Sequence, residues 1–378
     1  MYTKIKNIIC ISLMYICRVF PIKKNKVLFV SYFGKYYNDS PAAISKQLEN
    51  SNDIDIVWAI ENKSLCPKRA RCVSPGSLRY IYELATSKVW VDNSRKRVWV
   101  KKRKGQYYIQ TWHGNISLKK YEGSAENKLS YEYIKRAKQD SKYIDLITSG
   151  SDFFTEYCKK FFWYDGEILK CGTPRLDIMR GNLLAIKNEI RSKYNIDDDA
   201  IVVLYAPTFR DNGDLTVYDI DYNGIINQME KNYNADCFIL LRLHPNIMEK
   251  GDAFKHDEKV INASQHPDLY ELIIASDYII SDYSSLVFDA GIIEKKVFLY
   301  MPDYEQYSEE RGLYWKIEQL PFPCTHSNEE LLNELQMLDE KRYFKRLRLF
   351  NDSLGIFEPG DAAKRIADII IDVVNNGK

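Results

Sequence analysis

Five short polar strings, each behind an apolar run, hold the side chains best suited to chemistry. In Tyr108-Ile-Gln-Thr-Trp-His-Gly114 a strand-like run ends at His113. A histidine so placed can act as a general base near neutral pH. Gly114 would permit a tight turn and close ligand approach, and Lys119 and Lys120 follow as cationic support. The plain alternative is a histidine that caps a turn. Gly172-Thr-Pro-Arg-Leu-Asp177 presents Arg175, whose planar fork suits a phosphate, or else pairs with Asp177 inside a linker. In Leu204-Tyr-Ala-Pro-Thr-Phe-Arg210, Thr208 and Arg210 could meet a phosphate or ribose. In Leu241-Arg-Leu-His-Pro245, the proline holds His244 extended, and Arg242 points either with it or to the opposite side.

The fifth string, Ser276 to Ala290, is the strongest. A buried run, Tyr278–Ser281, passes into Asp282-Tyr-Ser-Ser285 and then into a helical pattern. Ser284 and Ser285 stand where a helix start gathers free backbone N–H groups, which favour a phosphate or pyrophosphate. Asp289 lies four residues beyond Ser285, on the same helix face, where it could hold ribose hydroxyls or orient a lysine. Simple capping would account for Ser284 or Ser285 alone.

Absent strings narrow the class. No GxGxxG follows the first strand, and there is neither a GxxxxGK[ST] loop nor a GxSxG elbow. Asp219-Ile-Asp221 matches the letters DxD but lies between a loop and a helix, so it reads as a cap; no metal and no cofactor is expected. The eight cysteines form no CxxC pair and have no histidine at finger spacing, which reads as reduced, mostly buried thiols. A net charge of +2 argues against nucleic-acid binding by the molecule as a whole.

These strings need strand ends to carry them. Short apolar runs at Val27–Ser31, Ile54–Ala59, Val89–Asp92, Tyr108–Thr111, Leu146–Thr148 and Ile168–Cys171 alternate with helical patterns. A second series follows at Ile201–Ala206, Phe238–Arg242, Tyr278–Ser281 and Val297–Tyr300. Such alternation predicts doubly wound parallel sheets. With 378 residues the chain exceeds the usual scale of one domain. The expected architecture is α/β, with two doubly wound Rossmann-like domains facing a cleft. Residues 26–180 would form the first and 181–360 the second, with 361–378 a helix packing back across the junction. Ligands of open α/β sheets bind beyond the carboxyl ends of strands, where all five strings fall.

Residues 1–25 read differently. The uncharged run Ile8–Cys17 is too short to cross a bilayer, and Lys4, Lys6, Arg18, Lys23 and Lys24 surround it. It reads as an interfacial helix with a basic collar, able to dock on anionic lipid, or as a helix packed on its own domain.

Taken together and in order, the strings resemble the CDP-glycerol glycerophosphotransferase family, the teichoic-acid primases and polymerases. The matching pieces are Gln110–Gly114 with Leu118-Lys-Lys120, Gly172–Arg175, Ala206–Arg210, Arg242–Pro245, and Ser281–Ser285 with Asp289; the tail Pro359–Arg365 also looks like the family's closing helix. The resemblance implies a fold of the glycosyltransferase-B (GT-B) type, with the nucleotide held mainly by the second domain. It makes His113 the candidate base, with His244 also catalytic. Trp112, Gly114, Arg175, Thr208, Arg210, Arg242, Ser284, Ser285 and Asp289 become candidate donor contacts. It implies transfer of glycerol phosphate from CDP-glycerol to a hydroxyl of a prenyl-linked or polymer acceptor, with release of CMP, at the cytoplasmic face of the membrane. The family commonly reads Trp-His-Gly-Thr-Pro-Leu-Lys-Lys, whereas Asn115-Ile-Ser-Leu follows Gly114 here, in a loop expected to face the acceptor. The alternatives are a CDP-ribitol transferase, a UDP-sugar 2-epimerase-like isomerase, and a nucleotide-binding membrane scaffold without turnover.

Overall fold

The computed structural model describes residues 2–210, 218, 220–244, 247 and 257–376. Its first sheet has seven strands: β1 (Lys23–Val30), β2 (Asp55–Ala59), β3 (Arg71–Val73), β4 (Ser87–Asp92), β5 (Tyr107–Gln110), β6 (Leu146–Ser149) and β7 (Glu167–Lys170). Their order is β3-β2-β1-β4-β5-β6-β7, with every pairing parallel. The second sheet has β8 (Ile201–Tyr205), β9 (Cys237–Leu241), β10 (Val260–Asn262), β11 (Tyr278–Ser281), β12 (Lys296–Tyr300) and β13 (Cys324–Thr325). Its order, β10-β9-β8-β11-β12-β13, is again all parallel. Helices on both faces bury the central strands, which is why β8, β9 and β11 are nearly continuous apolar runs. The strand order reverses between β1 and β4 in one sheet and between β8 and β11 in the other, where such sheets open a crevice.

The helices of the first half are α1 (Tyr2–Ile16), α2 (Asp39–Gln47), α3 (Leu78–Thr86), α4 (Tyr131–Ser141) and α5 (Asp152–Phe161). Those that follow are α6 (Leu183–Lys193), α7 (Tyr222–Tyr233), α8 (Leu269–Ala275), α9 (Leu286–Ile292), α10 (Tyr304–Arg311), α11 (Asn328–Gln336), α12 (Glu340–Ser353) and α13 (Ala362–Asn376). Ser77, Ser130, Ser151, Asp221, Asp268, Ser327 and Asp339 each cap a helix start through a side-chain oxygen. Asp221 is thus the cap that its sequence setting suggests, while Asp219 lies outside the described residues.

The chain forms two compact units. Met1–Asn115, Tyr121–Asp177 and Ile356–Lys378 make the first; Ile116–Lys120 and Ile178–Gly355 make the second. The C-terminal segment returns to the first unit through a specific lock. Thr173 donates to Glu358 through both its amide (2.7 Å) and its hydroxyl (2.5 Å). Gly172 sits at φ +96°, and a Cβ there would stand 3.0 Å from Pro359, so backbone and space both require glycine. The Asp177 carboxylate accepts from the amides of Ala362 (3.0 Å) and Ala363 (2.7 Å) at the start of α13. That helix then buries Ala362, Ile366, Ile370 and Val373 against α2, β1 and β4.

Helix α1 packs on α3 through the buried Met14, and leaves Ile5, Ile8, Ile9, Tyr15 and Ile16 exposed. No described helix is long and apolar enough to cross a membrane. One expectation needs correcting. Cys66 and Cys72 form a disulfide, their Cα atoms 6.0 Å apart. The loop ahead of the edge strand β3 folds Cys66 back beside Cys72, a pairing that a six-residue spacing does not announce. The other six cysteines are free, as expected.

Asp177→Ala should remove a helix cap and destabilise the first unit by about 1–2 kcal/mol. Urea unfolding reads this directly; an unchanged midpoint would show that the lock through Glu358 alone holds α13.

Candidate functional site

His113 follows β5 at the carboxyl edge of the first sheet, and three neighbouring loops define its surroundings. Its Nδ1 lies 2.7 Å from the carbonyl oxygen of Asn93, which follows β4. A carbonyl can only accept, so Nδ1 carries the hydrogen and Nε2 of the neutral ring keeps its lone pair. The Asn93 side chain accepts from the Tyr32 amide at 2.8 Å, and the Tyr32 ring stands 5.6 Å from the imidazole. The Tyr32 hydroxyl donates to Asp39 at 2.6 Å, and Arg175 approaches the same carboxylate at 3.4 Å. Trp112 stacks on His113 with ring centroids 4.5 Å apart.

The turn here differs from the expected one. Gly114 does not take the left-handed conformation; Trp112 does, with φ 53°. That conformation is unfavourable for a bulky residue, and packing holds it. The Trp112 amide donates to the Gln110 side chain at 2.9 Å, and its ring packs against Tyr121 and Phe162. Segment Ile116–Lys120 belongs to the second unit, where Lys120 bonds to the Gly312 carbonyl at 3.0 Å and Lys119 lies over the Tyr307 ring. Asn115 is buried and donates to Thr173. Arg175 therefore lies in the first unit beside Asp39, rather than paired with Asp177.

Burial pushes the pKa of His113 below its ordinary 6.5, against the opposing pull of the Asn93 carbonyl and the Asp39 carboxylate. Burial alone would raise Asp39, but Arg175, the Tyr32 hydroxyl and the Ser40 amide outweigh it and hold the carboxyl below its usual range. A neutral imidazole beside an ionised carboxylate is the result.

In the second unit the edge beside the β8/β11 reversal gathers the other strings. Asp282 accepts from the Thr208 amide at 2.9 Å and from its hydroxyl at 3.1 Å. Arg210 meets Asp282 at 2.9 Å and binds Asp303 in bidentate fashion, at 2.7 and 3.1 Å. The stacked rings of Tyr283 and Tyr307, 3.6 Å apart, lie about 5 Å from its guanidinium. Arg210 is thus buried between carboxylates and fixes the loops after β8, β11 and β12. His244 is exposed and its ring stacks on Phe209, while Pro245, expected to pin it, lies outside the described residues. Arg242 turns instead to the His266 carbonyl, at 2.5 Å. Asp289 is buried and accepts from Tyr270 at 2.9 Å. Ser285 begins α9 without a side-chain capping bond, and Ser284 makes only a long one, 3.4 Å, to the Leu286 amide. Capping therefore does not occupy the Ser285 hydroxyl.

Sequence reasoning missed Tyr32, Asp39, Asn93, Asp282 and Asp303 as site residues. Asn38-Asp39-Ser40-Pro41 has the composition of a helix start, and Asn93, Asp282 and Asp303 all follow strands closely. Position behind a strand was the available signal.

Two doubly wound parallel sheets in one chain, each with polar side chains gathered beside its order reversal, define a two-domain α/β protein of the GT-B type. The family profile for CDP-Glycerol:Poly(glycerophosphate) glycerophosphotransferase matches residues 12–372, and the chain belongs to that family. It is 29% identical over 369 residues to a teichoic acid poly(glycerol phosphate) polymerase of Bacillus spizizenii, covering 93% of each chain. It is 30% identical to the corresponding polymerase of Staphylococcus epidermidis, where 92% of this chain spans about half, 51%, of the relative's length. A teichoic acid ribitol-phosphate primase of Bacillus spizizenii is 26% identical, with 99% of this chain and 97% of the primase covered. The solved wall teichoic acid polymerase TagF superposes with a TM-score of 0.85 at 28% identity, over 98% of this chain and 96% of that one. A histidine-to-asparagine variant of TagF has been solved after a soak with CDPG. The UDP-GlcNAc 2-epimerase of Neisseria meningitidis shares the fold alone, with a TM-score of 0.54 at 14% identity over 92% of this chain and 100% of that one.

In an NMR titration the His113 ring should protonate below the ordinary 6.5. Asp39→Asn removes the carboxylate that favours the imidazolium, so it should move that midpoint lower still. An upward move would mean that Asp39 does not act on the ring through its charge.

Proposed function

We propose that this chain transfers glycerol phosphate from CDP-glycerol to a hydroxyl of a membrane-linked or polysaccharide acceptor, releasing CMP, at the cytoplasmic face of the membrane. The acceptor oxygen attacks the β-phosphorus, the bond from that phosphorus to the bridging oxygen breaks, and CMP leaves. The hydroxyl proton goes to His113. The observation that carries this reading is the imidazole itself: its Nδ1–H is committed to the Asn93 carbonyl, which leaves Nε2 as a base. Its depressed pKa keeps it unprotonated at neutral pH.

Phosphoryl transfer depends on position and charge neutralisation more than on covalent help. Ser284, Ser285 and His244 are the groups at the second unit's edge suited to the donor's pyrophosphate. Thr208, Arg242 and Asp289 would shape its nucleoside side, and Arg210 would act as a positioning residue, since Asp282 and Asp303 take its N–H groups. Trp112, Gly114 and Arg175 would line the reacting end. CDP-ribitol is the rival donor, favoured by the similarity to a ribitol-phosphate primase along nearly the whole chain. Docking through the exposed apolar residues of α1 would bring a membrane-linked acceptor within reach.

CMP release from CDP-glycerol, with membrane lipid in detergent as acceptor, tests the reading. His113→Ala should lower it by about 100-fold to 10,000-fold, the usual worth of a general base, with CDP-glycerol binding nearly unchanged. Equal loss of binding would make His113 a donor ligand. Release with CDP-ribitol alone would change the donor, and no release with either across several acceptors would leave a binding protein.

A further inference from the structure

A cavity of about 850 Å³ lies within the first unit, between α1, the turn after β1, the loop after β4 and the start of α4. It is separate from the His113 contacts already described. It does reach Phe33, the neighbour of Tyr32, whose ring faces His113. Lys6 from α1, Arg97 from the β4 loop and Arg136 from α4 line it, against one carboxylate, Glu132. None of the three cations forms an ion pair among the described residues. The Arg136 guanidinium lies 4.9 Å over the Tyr133 ring, and its Nε is buried without a hydrogen-bond acceptor. Three cations against one carboxylate give the cavity a net positive charge, which an anion entering it would neutralise. Arginine forks match phosphate oxygens in geometry as well as in charge.

The surroundings indicate where that phosphate comes from. Ile5, Ile8 and Ile9 flank Lys6 on α1 and are about half exposed or more, at 51%, 63% and 54%. Apolar side chains beside a cationic cavity suit an amphiphile, with the head inside and the chains against the helix. We propose that this cavity binds the phosphate head of an anionic lipid. The biological use of the site rests on the membrane-linked acceptor proposed above, but binding is read without turnover, so the two can fail separately.

The test is co-sedimentation with phosphatidylcholine vesicles, with and without phosphatidylglycerol. Arg97→Gln with Arg136→Gln should weaken binding to the anionic vesicles roughly 25-fold, at about fivefold for each cation near the surface. Lys160→Gln with Lys345→Gln removes the same charge from exposed positions that do not line the cavity and should change binding less than about twofold if only the cavity charges meet the lipid. Equal loss in both double variants would reduce the effect to diffuse charge and overturn the proposal, as would no loss in either. If Arg136→Gln lowers the Tm, Lys6→Gln with Arg97→Gln replaces it, since both side chains are exposed. Inorganic phosphate serves as the soluble probe. A thermal shift with phosphate that the cavity variant loses, beside unchanged vesicle binding, would overturn the lipid assignment.

Discussion

In each unit a buried guanidinium is clamped between carboxylates at the carboxyl edge of the sheet, and the loops around it follow from that clamp. Arg95, behind β4, meets Glu122 at 2.7 Å and Asp140 at 3.4 Å. Arg210, behind β8, meets Asp282 at 2.9 Å and Asp303 at 2.7 Å. Removing either charge from water costs several kcal/mol unless its partners are well placed. A planar fork with five fixed donors accepts only a few arrangements of carboxylates. Each arginine therefore dictates where several loops must pass, and these are the loops that carry the polar strings.

The first clamp also governs the imidazole. Arg95 lies 5.6 Å from the Trp112 ring and 5.0 Å from that of Phe162, supporting from beneath the ring that stacks on His113. Asn93, two residues before Arg95, provides the carbonyl that fixes the His113 tautomer. One loop thus supports the stacking partner and sets which nitrogen bears the hydrogen. The left-handed backbone at Trp112 persists because this packing over-determines it.

What could be read from the sequence follows from how locally each feature is determined. Strands β8, β9 and β11 are buried on both faces, so their burial is written as nearly continuous apolar runs. Strands β3, β10 and β13 have three, three and two residues, too few for any pattern, and their existence depends on the neighbour that pairs with them. Ser284 and Ser285 could be picked out because a dense polar string follows a buried strand. Asp39 and Asp303 could not, because their partners, Arg175 and Arg210, lie 136 and 93 residues away. Nothing in the sequence around Lys119 shows which unit its segment joins. Backbone pairing with Leu313 carries its segment into the other unit.

The fold alone does not separate a transferase from an epimerase, since both use two such sheets and function belongs to the site. Among the described residues, the chemistry of the edges favours the first. Taking a proton from a sugar carbon calls for a carboxylate or similar base free to reach it. Here Asp39 is held by Arg175 and Tyr32, Asp282 and Asp303 by Arg210, Asp289 by Tyr270, and Glu358 by Thr173. Each of these carboxylates holds part of the framework in place. The group left with an open lone pair at the first edge is the His113 imidazole, a base of modest strength. A base of that kind suits an alcohol, which becomes acidic as its oxygen bonds to phosphorus, better than it suits a carbon acid. With these carboxylates bound in the framework and the imidazole lone pair open, the edges support the proposed phosphoryl transfer on grounds independent of sequence similarity.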